Sequence, residues 1–362
     1  MKHYMDKFEH GGFFYATARR GQDADQLLDF SVNINPLGLS ESVRQAVRGA
    51  LEEIIYYPDA AAVLLKEAIA ERYQVDSVGI LAGNGAAELL YVLCHVLRPK
   101  TVVIPAPTFS EYERAALSAG ASIHYVPLCT ENGFSLPVGN ILKIIPEADL
   151  VFLCNPNNPT GRLELKSDLE IIVAQANKHN TLVVLDESFV DFVADAEKVT
   201  CKPLLAKYSN LVIVQSLTKI YAIPGLRLGF MLADRGLVER LERGKDPWNV
   251  NTLAQAAGVA ALKDVNYLHE TVKVVTAARE SLEKELAKLK GLIVYPGSAN
   301  FLLLNLAGSL YKADRLGQAL AERHILIRNC ANYPGLSSDY VRIAVKKEEH
   351  NREFVAALAT LL

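Results

Sequence analysis

The sequence predicts an α/β protein, with a large domain on a mostly parallel sheet and a smaller α+β domain. Three observations carry this. From about residue 80 to 232, short apolar β-branched runs alternate with stretches of helical period, as buried parallel strands and their crossover helices do. The runs at 150–154, 181–186 and 211–215 each lead into a turn that brings together Asn, Pro, Gly, Asp or Ser. Beyond about residue 290 the strands shorten and flank single helices, so the last third has a small core of its own. The expected division is an N-terminal arm and small-domain segment over 1–40, a large domain over 41–262, and a bridging helix with a small C-terminal domain over 263–362.

Residues 1–28 have few periodic apolar positions and read as an extended arm. Within it, His10-Gly11-Gly12 has two glycines that allow close approach to a ligand. The alternation Phe30, Val32, Ile34 predicts a short strand ending at Pro36, with Asn33 and Asn35 on one side. Asn35 is there either a turn residue or a substrate contact. Ser40 is placed to cap a helix to about residue 53, and Asp59 to cap another over 60–73. Pro58 keeps Tyr56-Tyr57-Pro58-Asp59 in a loop. Adjacent tyrosines there either pack at an interface or reach a phosphate with a phenol.

Residues 80–88 pass from a strand through Gly83-Asn84-Gly85 into a helix whose apolar face is Leu89, Leu90, Leu93, Val96 and Leu97. Free N–H groups at such a helix start cradle phosphate, and Gly85 lets the backbone close on it. A strand at 101–104 leads to Phe109, which either stacks on a flat ring or packs in the core. A helix over 110–119 and a strand near 122–126 follow. The strand 150–154 enters Asn155-Pro156-Asn157-Asn158-Pro159-Thr160-Gly161, a turn that positions the Asn158 amide. After a helix near 166–178, a strand ends on Asp186, a carboxylate that is costly to bury unless paired. A pyridinium nitrogen is a suitable partner; capping the next loop is the other use.

The run 228–233 adds an edge strand, and a helix follows at 252–262. A long helix from 266 to 290, ended by Gly291, bridges to the small domain. There, strands near 292–295, 301–305 and 325–328 flank a helix at 311–323. A strand near 340–344 precedes a final helix from Glu348. Arg328 and Arg342 lie in or beside these strands among apolar neighbours. Each needs an anion, from a structural carboxylate or from a substrate.

The most informative stretch is Ser216-Leu217-Thr218-Lys219, just past a buried strand, followed by Pro224-Gly225-Leu226-Arg227. Ligand sites in open α/β sheets lie outside such strand ends. Lysine can form a Schiff base with an aldehyde. Ser216 and Arg227 can hold a phosphate carried by that aldehyde, Arg through its bidentate fork. An aldehyde with a phosphate tail describes pyridoxal 5′-phosphate (PLP).

With Asn158-Pro159-Thr160-Gly161 after a strand, this pattern resembles the fold-type I PLP enzymes, the aspartate aminotransferase superfamily, and within it the histidinol-phosphate aminotransferase branch. The resemblance covers nearly the whole chain. It implies the PLP-dependent transferase fold, with Lys219 as the catalytic Schiff-base lysine, Asp186 on the pyridine nitrogen, Asn158 on O3′ and Phe109 on the ring. Gly85, Ala86, Ser216 and Arg227 would hold the cofactor phosphate. It implies a homodimer with a shared active site, Tyr57 reaching the phosphate from the neighbouring subunit. Arg342 would bind the substrate α-carboxylate, with Asn35 and Arg328 nearby.

The segments 10–12, 28–38, 221–229 and 327–336 resemble more closely the L-threonine-O-3-phosphate decarboxylases of that branch. That implies removal of CO2 from O-phospho-L-threonine to leave (R)-1-amino-2-propanol O-2-phosphate for cobalamin biosynthesis. His10 and Gly11, with Arg328 or Asn332, would then contact the substrate phosphate. A phosphate-substrate aminotransferase, for histidinol phosphate above all, is the alternative. Phe189 stands where aminotransferases usually place a tyrosine bonded to O3′, which leaves Asn158 as the main donor.

Composition narrows the field. Half of the 362 residues are hydrophobic, 22% are charged and the net charge is −3, without the basic footprint of a nucleic-acid binder. The cysteines Cys94, Cys129, Cys154, Cys201 and Cys330 are scattered and lack CxxC spacing, which argues against disulfides and zinc. No apolar run reaches ~18 residues, and residues 1–9 have no apolar signal core. A cytoplasmic protein without a membrane segment or a metal is expected.

Overall fold

The computed structural model describes Gly12 and residues 27–362. Its strands are β1 (Leu28–Asp29), β2 (Ile80–Gly83), β3 (Thr101–Ala106), β4 (Ser122–Pro127), β5 (Leu150–Cys154), β6 (Leu182–Asp186) and β7 (Leu211–Ser216). They continue with β8 (Gly229–Leu232), β9 (Ile293–Tyr295), β10 (Phe301–Asn305), β11 (Ile325–Leu326), β12 (Arg328–Asn329) and β13 (Tyr340–Ala344). Seven form one sheet in the order β2-β8-β7-β6-β5-β3-β4. From β7 to β4 the strands run parallel, and β8 lies antiparallel between β7 and β2.

Both faces of this sheet are covered, which is why its strands read as continuous apolar runs. Ile213 points into a core with Leu65, Ile172 and Val183. Val212 and Val214 point the other way, onto Leu89, Leu93 and Ala115 of the helices Ala86–Leu97 and Ser110–Ser118. A second sheet, β12-β13-β10-β9, is antiparallel, and β1 pairs in parallel with β11. The helix Val265–Leu286 joins the two regions: Val275 packs in the large core, while Leu282 and Leu286 pack with Phe30, Leu302 and Phe354 in the small one. Among the described residues no helix is long and apolar enough to cross a membrane.

Several expectations are corrected. The run 228–233 is not an edge: β8 is fully buried between two strands. Glycine at its start permits this, since a Cβ on Gly229 would lie 2.5 Å from the Ala86 nitrogen. The strand expected over 30–34 does not form: the pairing with β11 covers Leu28–Asp29 and ends with the Phe30 N–H bond to the Leu326 carbonyl. The bridging helix stops at Leu286, and Gly291 instead meets Gly308, whose carbonyl oxygen would be 2.5 Å from an added Cβ. The helix capped by Ser40 ends at Gly49 and gives way to a 3-10 turn over Leu51–Ile55. Asp59 accepts from the Ala61 and Val63 N–H groups, but the helix it precedes starts only at Val63.

Candidate active site

The C-terminal ends of β5, β6 and β7 open into a cavity of about 490 Å³, lined among others by Cys154, Asp186, Ser216 and Lys219. Open α/β sheets place ligands at such strand ends, where backbone groups lose their ladder partners. The floor is a hydrogen-bonded series. Tyr112 donates to Asp186 Oδ2 at 2.7 Å, and the Ser188 N–H donates to Asp186 Oδ1 at 2.8 Å. The Ser216 N–H donates to Ser188 Oγ at 3.0 Å, and Lys219 Nζ donates to Ser216 Oγ at 3.0 Å.

Burial pushes the Lys219 ammonium down to about 8; Asp186 and Cys154 pull it back up, while Arg227 and Arg342 lower it further. Its nitrogen lies 5.8 Å from the centre of the Phe189 ring. At pH 7.4 about a fifth of such an amine is neutral, against about a thousandth of an ordinary lysine, and the neutral form is the one a nucleophile needs. Burial also pushes the Cys154 thiol up to about 12, so this cavity cysteine stays protonated and is no nucleophile.

At one end of the cavity, the helix Ala86–Leu97 begins after Gly85 with no side chain capping it. Its first N–H groups are left for an anion. Gly85 has φ +81°, and a Cβ there would fall 2.4 Å from Arg227 Nη2, so glycine is what admits the guanidinium. Arg227 itself has φ +60°, a left-handed conformation that costs a non-glycine residue about 1–3 kcal/mol. An uncapped helix, a strained arginine and a buried amine within one cavity fit a phosphorylated aldehyde, and the Asp186 carboxylate fits a protonated ring nitrogen.

At the other end, Arg328 and Arg342 are direct partners on the neighbouring strands β12 and β13, and both are buried. Arg342 donates to Asn158 Oδ1 at 2.6 Å and to the Ser31 carbonyl oxygen at 2.8 Å, and its buried Nε has no partner among the described residues. Arg328 donates to Asn332 Oδ1 at 2.8 Å and lies over the Tyr333 ring. Like charges directly opposite each other on a sheet repel, so the pair calls for anions. The described lining carries Arg114, Lys219, Arg227, Arg328 and Arg342 against Glu111 and Asp186, five cations to two carboxylates.

The structure brings together Ala86, Phe109, Asn158, Asp186, Ser216, Lys219, Arg227, Arg328 and Arg342 in this one cavity, with Gly85 at its edge against Arg227. Phe109 lies edge-on to Tyr112, centroids 5.6 Å apart. Asn35 does not belong to the lining. Its amide donates to the Ile220 carbonyl at 2.6 Å and to Thr271 Oγ1 at 2.7 Å, so it braces the turn around Lys219. Asn33 lines the cavity instead, its buried Oδ1 without a partner among the described residues; without strand geometry over 30–34 the two asparagines diverge. Tyr57 is 79% exposed and stacks on Trp248 at 4.5 Å, away from this chain's own cavity. His10 and Gly11 lie outside the described residues.

Sequence reasoning missed Tyr112, Ser188 and Asn33. Tyr112 falls three residues after Phe109, one helical turn on, which was the available signal. Ser188 has only its place two residues after Asp186 to mark it.

The parallel sheet, the lysine past β7 and the uncapped helix start beside Arg227 define a class of protein, and residues 25–358 match the aminotransferase class I and II family. The chain belongs to that family, whose enzymes use pyridoxal 5′-phosphate. Among its relatives, threonine-phosphate decarboxylase of Salmonella typhimurium is 39% identical over 355 residues, 98% of this chain and 96% of the relative. L-threonine-O-3-phosphate decarboxylase from Porphyromonas gingivalis superposes with a TM-score of 0.82 at 29% identity, covering 92% of this chain and 99% of that one. The histidinol-phosphate aminotransferase from Clostridium acetobutylicum superposes with a TM-score of 0.87 at 30% identity, covering 92% and 98%.

Proposed function

We propose that this chain catalyses the PLP-dependent decarboxylation of O-phospho-L-threonine, giving CO2 and (R)-1-amino-2-propanol O-2-phosphate for cobalamin biosynthesis. The observation that carries the reading is the buried arginine pair, Arg328 opposite Arg342, lining the same cavity as Lys219. Two cations side by side suit a small substrate with two anionic ends, a carboxylate and a phosphate. The full-length similarity to threonine-phosphate decarboxylases supports the choice of substrate.

In this proposal Ala86 N–H, Ser216 and Arg227 hold the cofactor phosphate, with Gly85 giving them room. Asp186, fixed by Tyr112 and Ser188, keeps the proton on the ring nitrogen. Asn158 spends its carbonyl on Arg342, which leaves its N–H for O3′. When bound, PLP supplies the carbonyl that captures the substrate amine and the ring that draws electrons from Cα. Arg342 and Arg328 hold the two anionic ends and so select which Cα bond breaks; His10 and Gly11 are proposed as further phosphate contacts. Orientation of this kind is binding energy spent on the reaction. Lys219 Nζ returns a proton to Cα after CO2 departs.

The subunit is proposed to work as a homodimer. Ile54, Ile55, Tyr56, Tyr57, Leu64 and Trp248 are all exposed, the last two aromatics in contact. An apolar surface of this kind marks a protein interface. A partner's Tyr57 would then complete the phosphate site.

The test is direct. The purified holoenzyme should release CO2 from O-phospho-L-threonine, and Lys219→Ala should lose at least about 1,000-fold of that rate, the lysine acting as both tether and acid. The competing reading, a histidinol-phosphate aminotransferase, draws on the TM-score of 0.87. Glutamate separates them: its rapid conversion of the cofactor to the pyridoxamine form, without CO2 release from phosphothreonine, overturns decarboxylation.

A further inference from the structure

Adjacent residues of a strand face opposite sides of the sheet. Asp186 and Ser216 face the cavity, so Glu187 and Gln215 face away from it, into a second buried polar cluster. There Tyr73, the last residue of the helix Val63–Tyr73, donates to Asp191 Oδ2 at 2.7 Å. Gln215 Nε2 donates to the same oxygen at 2.5 Å and to the Tyr73 hydroxyl at 3.0 Å. Lys202 Nζ pairs with Glu187 at 2.9 Å, both side chains buried, and also lies 4.7 Å above the Tyr73 ring. Glu187 further accepts from Thr200 Oγ1 and the Cys201 N–H. One tyrosine thus touches Asp191, two past Phe189, and Gln215, beside Ser216, and reaches Glu187, beside Asp186, through Lys202.

We propose that Tyr73 is a positioning residue, tying the Phe189–Asp191 turn to the end of β7 from beneath and so fixing how closely Phe189 screens Lys219 from water. A hydrophobic core alone could hold these strand ends together. It would not explain why an amide and a phenol converge on one carboxylate oxygen, an arrangement costly to leave half-satisfied. The tie acts on Lys219 through solvation. The groups that shift it electrostatically, Asp186, Arg227, Cys154 and Arg342, lie on other elements than Tyr73 and make none of its bonds. Asp191, Lys202, Arg72 and Tyr221 face Tyr73 itself. Removing the hydroxyl takes away one of the two donors to Asp191 Oδ2 and leaves Gln215 alone to hold the turn; the loosened turn lets water reach the Lys219 amine and raises its pKa from about 8 toward the ordinary ~10.4 of lysine.

The inference rests on Lys219 being the reactive amine, and its test does not use turnover. Cofactor-free protein is treated with acetic anhydride across a pH series, and acetylation of Lys219 is followed by peptide mass spectrometry. Wild type should show a midpoint near pH 8. Tyr73→Phe should move the midpoint up by about one unit, which is about tenfold less free amine at pH 7. Tyr208→Phe, which removes a hydroxyl bonded to Glu170 elsewhere on the molecule, should leave the midpoint in place. If Tyr73→Phe does not fold, Asp191→Ala, which takes the shared acceptor away from both the phenol and the Gln215 amide, should shift the midpoint in the same direction. An unshifted midpoint in a folded variant, whatever its thermal stability, overturns the proposal. A wild-type midpoint near 10 with Lys219→Ala inactive would sink the solvation argument and leave the decarboxylase reading standing.

Discussion

Lys219 and Arg342 show how much of this site is set by single side chains in low-dielectric surroundings. Below pH 8 the Lys219 amine is increasingly protonated, and above it increasingly free, because burial disfavours its charge. Capture of added PLP by the cofactor-free protein, read by its visible absorbance, should therefore speed up through pH 8 and level off by about 9.5. Arg342 is held by Asn158 and the Ser31 carbonyl, and among the described residues its Nε meets no acceptor. Arg342→Gln should raise KM for phosphothreonine by at least about 30-fold, since losing one partner of a buried charged contact costs about 2–5 kcal/mol. Steady-state kinetics measure this. Arg342 was legible in the sequence as a buried cation in need of an anion. The divergent roles of Asn33 and Asn35 were not, because they depend on whether the backbone between them is a strand.

At the scale of elements, the site is made by strands that stop in register and a helix that starts against one of them. Gly229→Ala would drive a methyl toward the Ala86 nitrogen, 2.5 Å from its Cβ, and displace the helix start from the phosphate site. PLP affinity should fall at least about tenfold, the equivalent of 1.4 kcal/mol, measured by fluorescence titration of the cofactor-free variant. Tyr112→Phe keeps the stacking on Phe152 but strips a donor from buried Asp186. Urea unfolding of the cofactor-free protein should show a loss of about 1–3 kcal/mol. The element types were legible because apolar period and turn chemistry agree along β5, β6 and β7. The place of β8 was not: the order of strands in a sheet is a long-range property, and a short apolar run looks alike at an edge and in the middle.

For the whole molecule, one exposed apolar region stands apart from the cavity, running from Ile54 through Tyr57 to Trp248. If it is the subunit interface, Ile55→Asp should shift the protein to monomers in sedimentation velocity and reduce PLP affinity along with it. A dimer unchanged by that substitution would place the interface elsewhere. The sequence by itself determined the class of fold and the places of the lysine past β7, the glycine turn before the helix Ala86–Leu97 and the carboxylate at the end of β6, because each is written in a short stretch whose local physics is self-contained. Only the tertiary structure decided that Arg328 faces Arg342, that Tyr112 secures Asp186, and that Tyr73 lies beneath Gln215. Those are meetings of residues far apart in the chain, chosen by how the whole core packs and invisible in any one segment.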